Sequence, residues 1–141
     1  MTGPGYDDTA VGTELPPRQY HLTRLDLVRY AGASGDFNVI HWNERIAKSV
    51  GLPDVIAHGM LTMALAGRFL AEWTGDPGAV TEYGVRFSSP VVVPDDDKGA
   101  LLEISGVVTG KLDGHRVTVD VTARSGEVKV LTRAQAVIRL P

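Results

Sequence analysis

Hydrophobic positions along the chain follow two different periods, and the change occurs near residue 75. In the first half, apolar residues recur at the spacing of helices, whereas later β-branched residues alternate with polar ones. The predicted helices cover residues 24 to about 32–35, 43–50 and 58 to about 74. The predicted strands cover residues 14–22, 80–89, 100–108, 116–123 and 127–140.

Local signals support these boundaries. Thr23 and Asp26 have the spacing of a capping box at the start of the first helix. Pro16 and Pro17 interrupt the first strand soon after it begins. Turn residues cluster at 94–99, 110–114 and 125–126. The chain therefore predicts short connections between its last three strands.

The order of elements indicates one strand, then helices, then four strands of an antiparallel sheet of about five strands. Residues 58–74 are apolar nearly all round, which is typical of a buried helix that the sheet must wrap. This layout predicts an α+β hot-dog fold, with a single domain over residues 13–141 after a loose lead-in over residues 1–12. An open sheet edge and an incompletely covered helix predict edge-to-edge pairing with a second unit.

Length and composition narrow the class of protein. A chain of 141 residues with 43% hydrophobic residues can bury a core without cross-links, and it has no cysteine for a disulfide or a thiolate nucleophile. The net charge of −3 and the scattered basic residues argue against a nucleic-acid partner. No signal peptide or membrane-inserting segment is recognisable, so we expect a cytoplasmic protein.

The segment 35–41 holds the most informative chemistry. Asp36 and His41 are five residues apart, and in extended chain they would lie up to about 17 Å from each other. Gly35 and Asn38 tolerate turn conformations, so the backbone can arc and bring the two side chains together. Such a pair can transfer protons near neutral pH, although a capping Asp beside an exposed His is the commoner arrangement.

Gly59 provides the second functional element, at the predicted start of the apolar helix. Unpaired N–H groups at a helix start can stabilise negative charge on a substrate oxygen, and glycine leaves room for a carbonyl to approach them. We interpret the preceding His58 side chain as satisfied by local backbone.

Other constellations are weaker. No pair among the His, Asp and Glu residues has a recognised metal-ligand spacing, so we expect no metal. Ser34 and Ser49 are near the candidate site in sequence, but neither lies in a G-x-S-x-G elbow. Glycine-rich stretches at 3–5 and 75–78 are turns rather than phosphate-binding loops.

The chain resembles the MaoC-like, single hot-dog dehydratases of the R-specific hydratase type. The likeness is densest at residues 27–38, 40–43, 50–54, 56–63 and 75–83, and it is strongest to the catalytic β subunit of actinobacterial (3R)-hydroxyacyl-ACP dehydratase. The family motif Asp-x-Asn-Pro-Ile-His implies catalytic roles for Asp36 and His41 and a supporting role for Asn38, with Val39 in place of proline. The helix-start glycine of the family corresponds to Gly59, whose N–H would bind the thioester carbonyl.

The resemblance implies reversible dehydration of (3R)-3-hydroxyacyl thioesters to trans-2-enoyl thioesters in type II fatty acid synthesis. It implies no metal or redox cofactor, and it implies a substrate carried on the phosphopantetheine of ACP or CoA. The acyl chain is expected along the apolar helix near Met63 and Phe69. The partner is expected to be a second hot-dog subunit, in a heterodimer or a homodimer.

Three other functions stay open from the sequence. A hydratase acting on CoA thioesters would use the same pair of residues. A hot-dog thioesterase would rely on an acid in the central helix, where only Glu72 occurs, near the far end. A non-catalytic partner subunit could lack Asp36 and His41, whereas this chain has both.

Overall fold

Five antiparallel strands form one sheet in the computed structural model, which describes residues 3–141. The strands are β1 Glu14–Leu22, β2 Val80–Phe87, β3 Ala100–Leu112, β4 Arg116–Ser125 and β5 Val128–Arg139. Their order across the sheet is β1-β3-β4-β5-β2, so the last three strands form consecutive hairpins and β2 returns beside β5. This is the predicted five-stranded antiparallel sheet.

Three α-helices precede β2, and the longest of them packs on the sheet. They are α1 Arg24–Ser34, α2 Glu44–Ser49 and α3 Gly59–Thr74. The buried residues of α3 recur at helical spacing: Thr62, Ala66, Phe69, Leu70 and Thr74. The predicted hot-dog arrangement of a sheet around a long helix is confirmed. Among the described residues, no helix is long and apolar enough to cross a membrane.

The sequence overstated the burial of α3. Met60, Ala64, Arg68 and Glu72, each four residues after the last, form an exposed stripe along the helix. The helix is therefore amphipathic within this chain, with one face in the core and one face open. Apolar composition alone did not distinguish the two faces, because Met60 and Ala64 belong to the open one.

The capping signals are confirmed at the start of α1. The Asp26 carboxylate accepts a hydrogen bond from the Thr23 N–H at 2.8 Å, and the Thr23 side chain accepts one from the Asp26 N–H. The helix ends at Gly35, which has φ of 76° and whose N–H donates to the Ala31 carbonyl. A left-handed residue there turns the chain sharply away from the helix axis.

Two predicted boundaries differ from the structure. Residues 110–112, expected in a turn, continue β3, and Gly110 lies where the register with β4 shifts at a bulge. The described part of the lead-in is not loose. The Tyr6 N–H donates to the Pro141 carbonyl at 2.9 Å, and the Gly12 N–H donates to the Val108 carbonyl at 2.8 Å. Residues 1 and 2 lie outside the described residues.

The two edges of the sheet have different chemistry. Edge strand β1 contains Pro16 and Pro17, and its register with β3 shifts between Leu15 and Arg18. Proline makes an edge unsuitable for addition of another strand, whereas a register shift does not distinguish the two edges, because β2 also shifts its register with β5 at two places. Edge strand β2 has no proline and ends at Phe87, whose side chain is 51% exposed.

Candidate active site

The arc predicted for residues 35–41 is present, and local hydrogen bonds hold it. The Asp36 carboxylate accepts a hydrogen bond from the Asn38 N–H at 3.1 Å. The Asn38 side chain in turn accepts one from the Ile40 N–H at 3.3 Å, at the start of a short 3₁₀ turn, Val39–His41. Asn38 therefore supports the arc through the backbone, and the turn forms with Val39 in place of proline.

His41 presents one ring nitrogen to solvent-accessible space. Its side chain is largely buried, and Nδ1 lies 2.7 Å from the Ile56 carbonyl oxygen. A carbonyl oxygen can only accept, so Nδ1 must carry the hydrogen of this bond. Nε2 has no hydrogen-bond partner among the described residues and retains access to the adjoining cleft. In the neutral ring Nε2 is thus the basic nitrogen.

His58 lies against the same site. Its Nε2 donates to the Asp36 carbonyl oxygen at 3.1 Å, and its ring stacks on the His41 ring with 3.9 Å between centroids. The sequence interpretation of a histidine satisfied by local backbone was wrong, since the acceptor is 22 residues away in the chain and Nδ1 has no hydrogen-bond partner among the described residues. Burial, the largest influence, lowers the pKa of His58.

Asp36, His41 and His58 therefore converge: each offers a potential ligand atom, and these atoms lie within 4.8 Å of one another. The His41 and His58 ring planes are only 25° apart. The nitrogens that bond to backbone carbonyls, Nδ1 of His41 and Nε2 of His58, carry hydrogen in the neutral rings. The arrangement is suited to proton transfer, and the absence of a metal stays a prediction.

The start of α3 provides free backbone donors beside this pair. The N–H groups of Leu61 and Thr62 both donate to the His58 carbonyl. For the N–H groups of Gly59 and Met60, the described residues provide no acceptor. A carbonyl oxygen that enters here meets unsatisfied donors at the positive end of a 16-residue helix.

A cleft of about 410 Å³ adjoins His41 and the start of α3. It is lined by His41, Gly59, Thr62, Phe87, Val130 and Leu131, among other residues. Its walls come from the arc, the start of α3, the chain that follows β2, and the first residues of β5. The cleft is mainly apolar apart from His41, the helix start and a few hydroxyl groups.

The predicted acyl-tunnel residues lie elsewhere. Phe69 is 2% exposed, within the core cluster between α3 and the sheet. Met63 does not line the cleft, and its backbone carbonyl accepts the Tyr83 hydroxyl at 2.8 Å. Sequence reasoning chose large apolar residues on α3, whereas the cleft-facing residue one turn after Gly59 is Thr62. The cleft therefore does not include the two predicted residues, and the acyl-tunnel assignment stays a prediction.

Sequence reasoning also missed the segment 87–91, which lines the cleft through Phe87, Ser88, Ser89, Pro90 and Val91. The Ala57 N–H donates to the Val91 carbonyl at 2.8 Å, which ties this segment to the chain just before α3. The sequence shows only that the alternation of apolar and polar residues breaks after β2. It does not show the hydrogen bond between Ala57 and Val91, which are more than thirty residues apart.

A hot-dog unit with an Asp–His pair beside a helix start defines a recognised class of protein. Residues 8–128 match the family described as the MaoC like domain. The chain therefore belongs to the MaoC-like family, as its motifs predicted.

Individual relatives agree with this placement. The 3-hydroxyacyl-thioester dehydratase X of Mycobacterium tuberculosis is 42% identical over 88 residues, which are 57% of this chain and 29% of that protein. A structure described as a MaoC-like dehydratase is 47% identical with a TM-score of 0.95, covering 99% of this chain and 43% of that one. For R-hydratase PhaJ1 from Pseudomonas aeruginosa, identity is 27% and the TM-score 0.84, over 97% of this chain and 85% of that one. The chain thus spans less than half of the first two proteins.

Proposed function

We propose that this chain catalyses reversible dehydration of (3R)-3-hydroxyacyl thioesters to trans-2-enoyl thioesters. Two observations carry the proposal. His41, with its free Nε2, and the unsatisfied Gly59 N–H line one cleft, and a carboxylate oxygen of Asp36 lies within 4.8 Å of a ring nitrogen of His41. The names of relatives, a 3-hydroxyacyl-thioester dehydratase and an R-hydratase, support the same reaction.

In the hydration direction, the thioester carbonyl oxygen accepts a hydrogen bond from the Gly59 N–H. Water held between Asp36 and His41 adds to C3, and the pair takes up the proton that the water loses. Negative charge then develops on the thioester oxygen, where the helix-start amide stabilises it. The pair returns a proton to C2 on the same face, so addition is syn and the enzyme ends in its starting protonation state.

No redox step occurs in this reaction, because a proton and a hydroxide equivalent are the only species exchanged. The substrate is carried on phosphopantetheine, on ACP by the resemblance stated above and on CoA in the alternative. Both carriers end in the same arm, so the residues around the cleft suit either.

The thioesterase alternative finds less support. Glu72 accepts hydrogen bonds from Arg68 at 2.7 Å and from Tyr20 at 3.0 Å. Thirteen residues of helix separate it from Gly59, which is about 20 Å at the α-helical rise. Glu72 is therefore part of a surface network at the opposite end of α3 from the cleft.

The assembly that we propose is a pair of hot-dog units joined along β2, giving a continuous sheet of about ten strands. The proline-free β2 edge supports this choice, as do Phe87 and Met60, which are both more than half exposed. A partner on this edge would cover the apolar side of the cleft. The MaoC-like dehydratase chain matched above is more than twice as long as the part matched, which leaves room for a second unit there.

The assembly test compares amide hydrogen exchange at low and high protein concentration. We expect β2 amides to become better protected as concentration rises, while β1 amides, on the proline-containing edge, do not change. Light scattering should give at least a dimer at micromolar concentration. A monomer that is fully active on long acyl chains contradicts the proposed assembly.

The activity test measures hydration of crotonyl and long-chain enoyl thioesters on both CoA and ACP. Turnover of the enoyl thioester with formation of the (3R)-3-hydroxy product supports the proposal. Formation of free thiol and carboxylic acid instead would establish a thioesterase. A larger kcat/KM on ACP than on CoA, measured with the same acyl chain, decides the carrier.

A further inference from the structure

His58 is a buried group that the proposed reaction does not use. Its side chain is 1% exposed and lies between the rings of Tyr30, at 4.8 Å, and His41, at 3.9 Å. One ring nitrogen, Nε2, bonds to the Asp36 carbonyl. The other, Nδ1, is buried without a hydrogen-bond partner among the described residues. Buried polar atoms rarely lack a hydrogen-bond partner, so hydrogen bonding of the His58 ring does not by itself explain why the ring is buried here.

The tautomer of His58 follows from its one hydrogen bond. Because the Asp36 carbonyl only accepts, Nε2 carries the hydrogen and Nδ1 carries the lone pair in the neutral ring. Burial has the largest influence and lowers the pKa of His58; the Asp36 carbonyl opposes this effect and His41 adds to it. The ring is therefore neutral near pH 7.

His41 and His58 bind each other's backbone segments. His41, at the end of the arc, donates to the carbonyl of Ile56, two residues before His58. His58, at the start of α3, donates to the carbonyl of Asp36 within the arc. We call these two bonds the reciprocal histidine bonds. Together they tie the backbone of the arc to the segment that leads into α3.

We propose that His58 is a positioning residue for the Asp36–His41 pair: its Nε2–H holds the Asp36 backbone, and its neutral ring supports the stacked His41 ring. This inference rests on the proposed function, because it assigns His58 a part in the same reaction. It assigns no contact between His58 and substrate. A displacement of about 1 Å in a reacting group can cost about 10²-fold in rate, so loss of such a tie should be measurable.

Charge makes neutrality of His58 matter. When His41 takes up a proton it becomes a cation whose ring centroid is 3.9 Å from that of His58. A neutral ring at this distance can stack with an imidazolium, whereas a second cation would repel it. The titratable groups that face His58 are His41, the Asp36 carboxylate and the Tyr30 phenol.

The kinetic test compares His58→Phe with His58→Gln. Phenylalanine keeps a flat ring and lacks the donor, whereas glutamine can place an amide N–H near the position of Nε2. We expect His58→Phe to lower kcat about 10–100-fold with little change in KM, and His58→Gln to recover much of that loss. His21→Phe is the matched control, since its Nδ1 also contacts a backbone carbonyl, that of Lys98, but on exposed β1. The control should retain wild-type kinetics.

Wild-type kcat in a folded His58→Phe enzyme overturns the proposal. Equal losses of kcat in His58→Phe and His58→Gln contradict a role for the hydrogen bond from His58 Nε2–H to the Asp36 carbonyl. If either variant fails to fold, ¹⁵N NMR of the wild-type histidines decides: we expect neutral His58 with hydrogen on Nε2 at about pH 6.5, where an ordinary histidine is half charged. A charged ring, or hydrogen on Nδ1, contradicts it. This measurement needs no substrate, so it separates failure of this inference from failure of the proposed function.

Discussion

Gly59 offers a sharp test of the site, because any side chain added there would point toward the Phe87 ring that lines the cleft. A Cβ atom built on Gly59 would lie 3.2 Å from two ring carbons of Phe87. That distance is tight, but Phe87 is half exposed and can move by a few tenths of an ångström. Gly59→Ala and Gly59→Val should therefore fold, with Tm within about 5 °C of wild type for alanine. Both place carbon atoms where the thioester carbonyl is proposed to bind.

The expected loss follows from the donor that is blocked. Removal of one oxyanion donor costs about 10²–10³-fold in kcat, equivalent to about 2.7–4 kcal/mol. We expect Gly59→Val to reach this range, because a branched side chain excludes the carbonyl, and Gly59→Ala to lose less. Hydration of crotonyl-CoA, followed by the disappearance of enoyl-thioester absorbance, measures the change. Circular dichroism and thermal unfolding report whether each variant is folded.

A second substitution separates blocking of the amide from displacement of Phe87. Phe87→Ala removes the ring that a new side chain would push aside. If the amide is what matters, Gly59→Val stays impaired in the Phe87→Ala background. Recovery of activity in the double variant would show that Phe87, not the N–H, is responsible. Folded Gly59→Val with wild-type kcat/KM would refute the oxyanion assignment altogether.

Three further predictions concern the dyad, the sheet and pH. His41→Ala and Asp36→Asn should each lower enoyl-thioester hydration by at least about 10²-fold with little change in Tm; near-wild-type turnover removes that residue from the mechanism. Gly99→Ala should lower Tm far more than Gly126→Ala, because both have positive φ but only the Cβ at 99 overlaps a neighbouring carbonyl; equal losses contradict this. Because burial lowers the pKa of His58 in the folded protein, the unfolded chain binds this proton at a higher pH than the native chain does. His58 therefore costs no native stability well above about pH 6.5, and it lowers native stability as the pH falls below that value. Tm should therefore drop more steeply between about pH 7 and 5 in wild type than in His58→Phe; parallel curves contradict this.

Local signals predicted much of this structure because they act over a few residues. The Thr23–Asp26 capping box, the turn at Gly35 and the helix start at Gly59 each depend on neighbouring backbone. The arc is of the same kind, since Asp36 and Asn38 cap N–H groups two residues ahead. These are the positions at which sequence and structure agree.

Features that depend on distant contacts could not be predicted. The acceptor of His58 is 22 residues away, and no local pattern identifies it. The side of α3 that meets the cleft depends on how the segment 87–91 crosses the helix start, so no local pattern identifies Thr62 as a lining residue. Gly110 was taken as a turn residue because a bulge and a turn use the same amino acid.

The reciprocal histidine bonds have a consequence for tolerance to mutation. Both acceptors are main-chain carbonyls, those of Ile56 and Asp36, which every amino acid carries. Substitution of the Ile56 side chain leaves its carbonyl in place, whereas substitution of His41 or His58 removes a donor outright. Substitutions at the acceptor positions are thus compatible with intact reciprocal histidine bonds. A transplant of these two bonds onto another scaffold requires two histidines and two correctly spaced main-chain carbonyls, whereas the proposed chemistry additionally requires the Asp36 carboxylate and the helix start at Gly59.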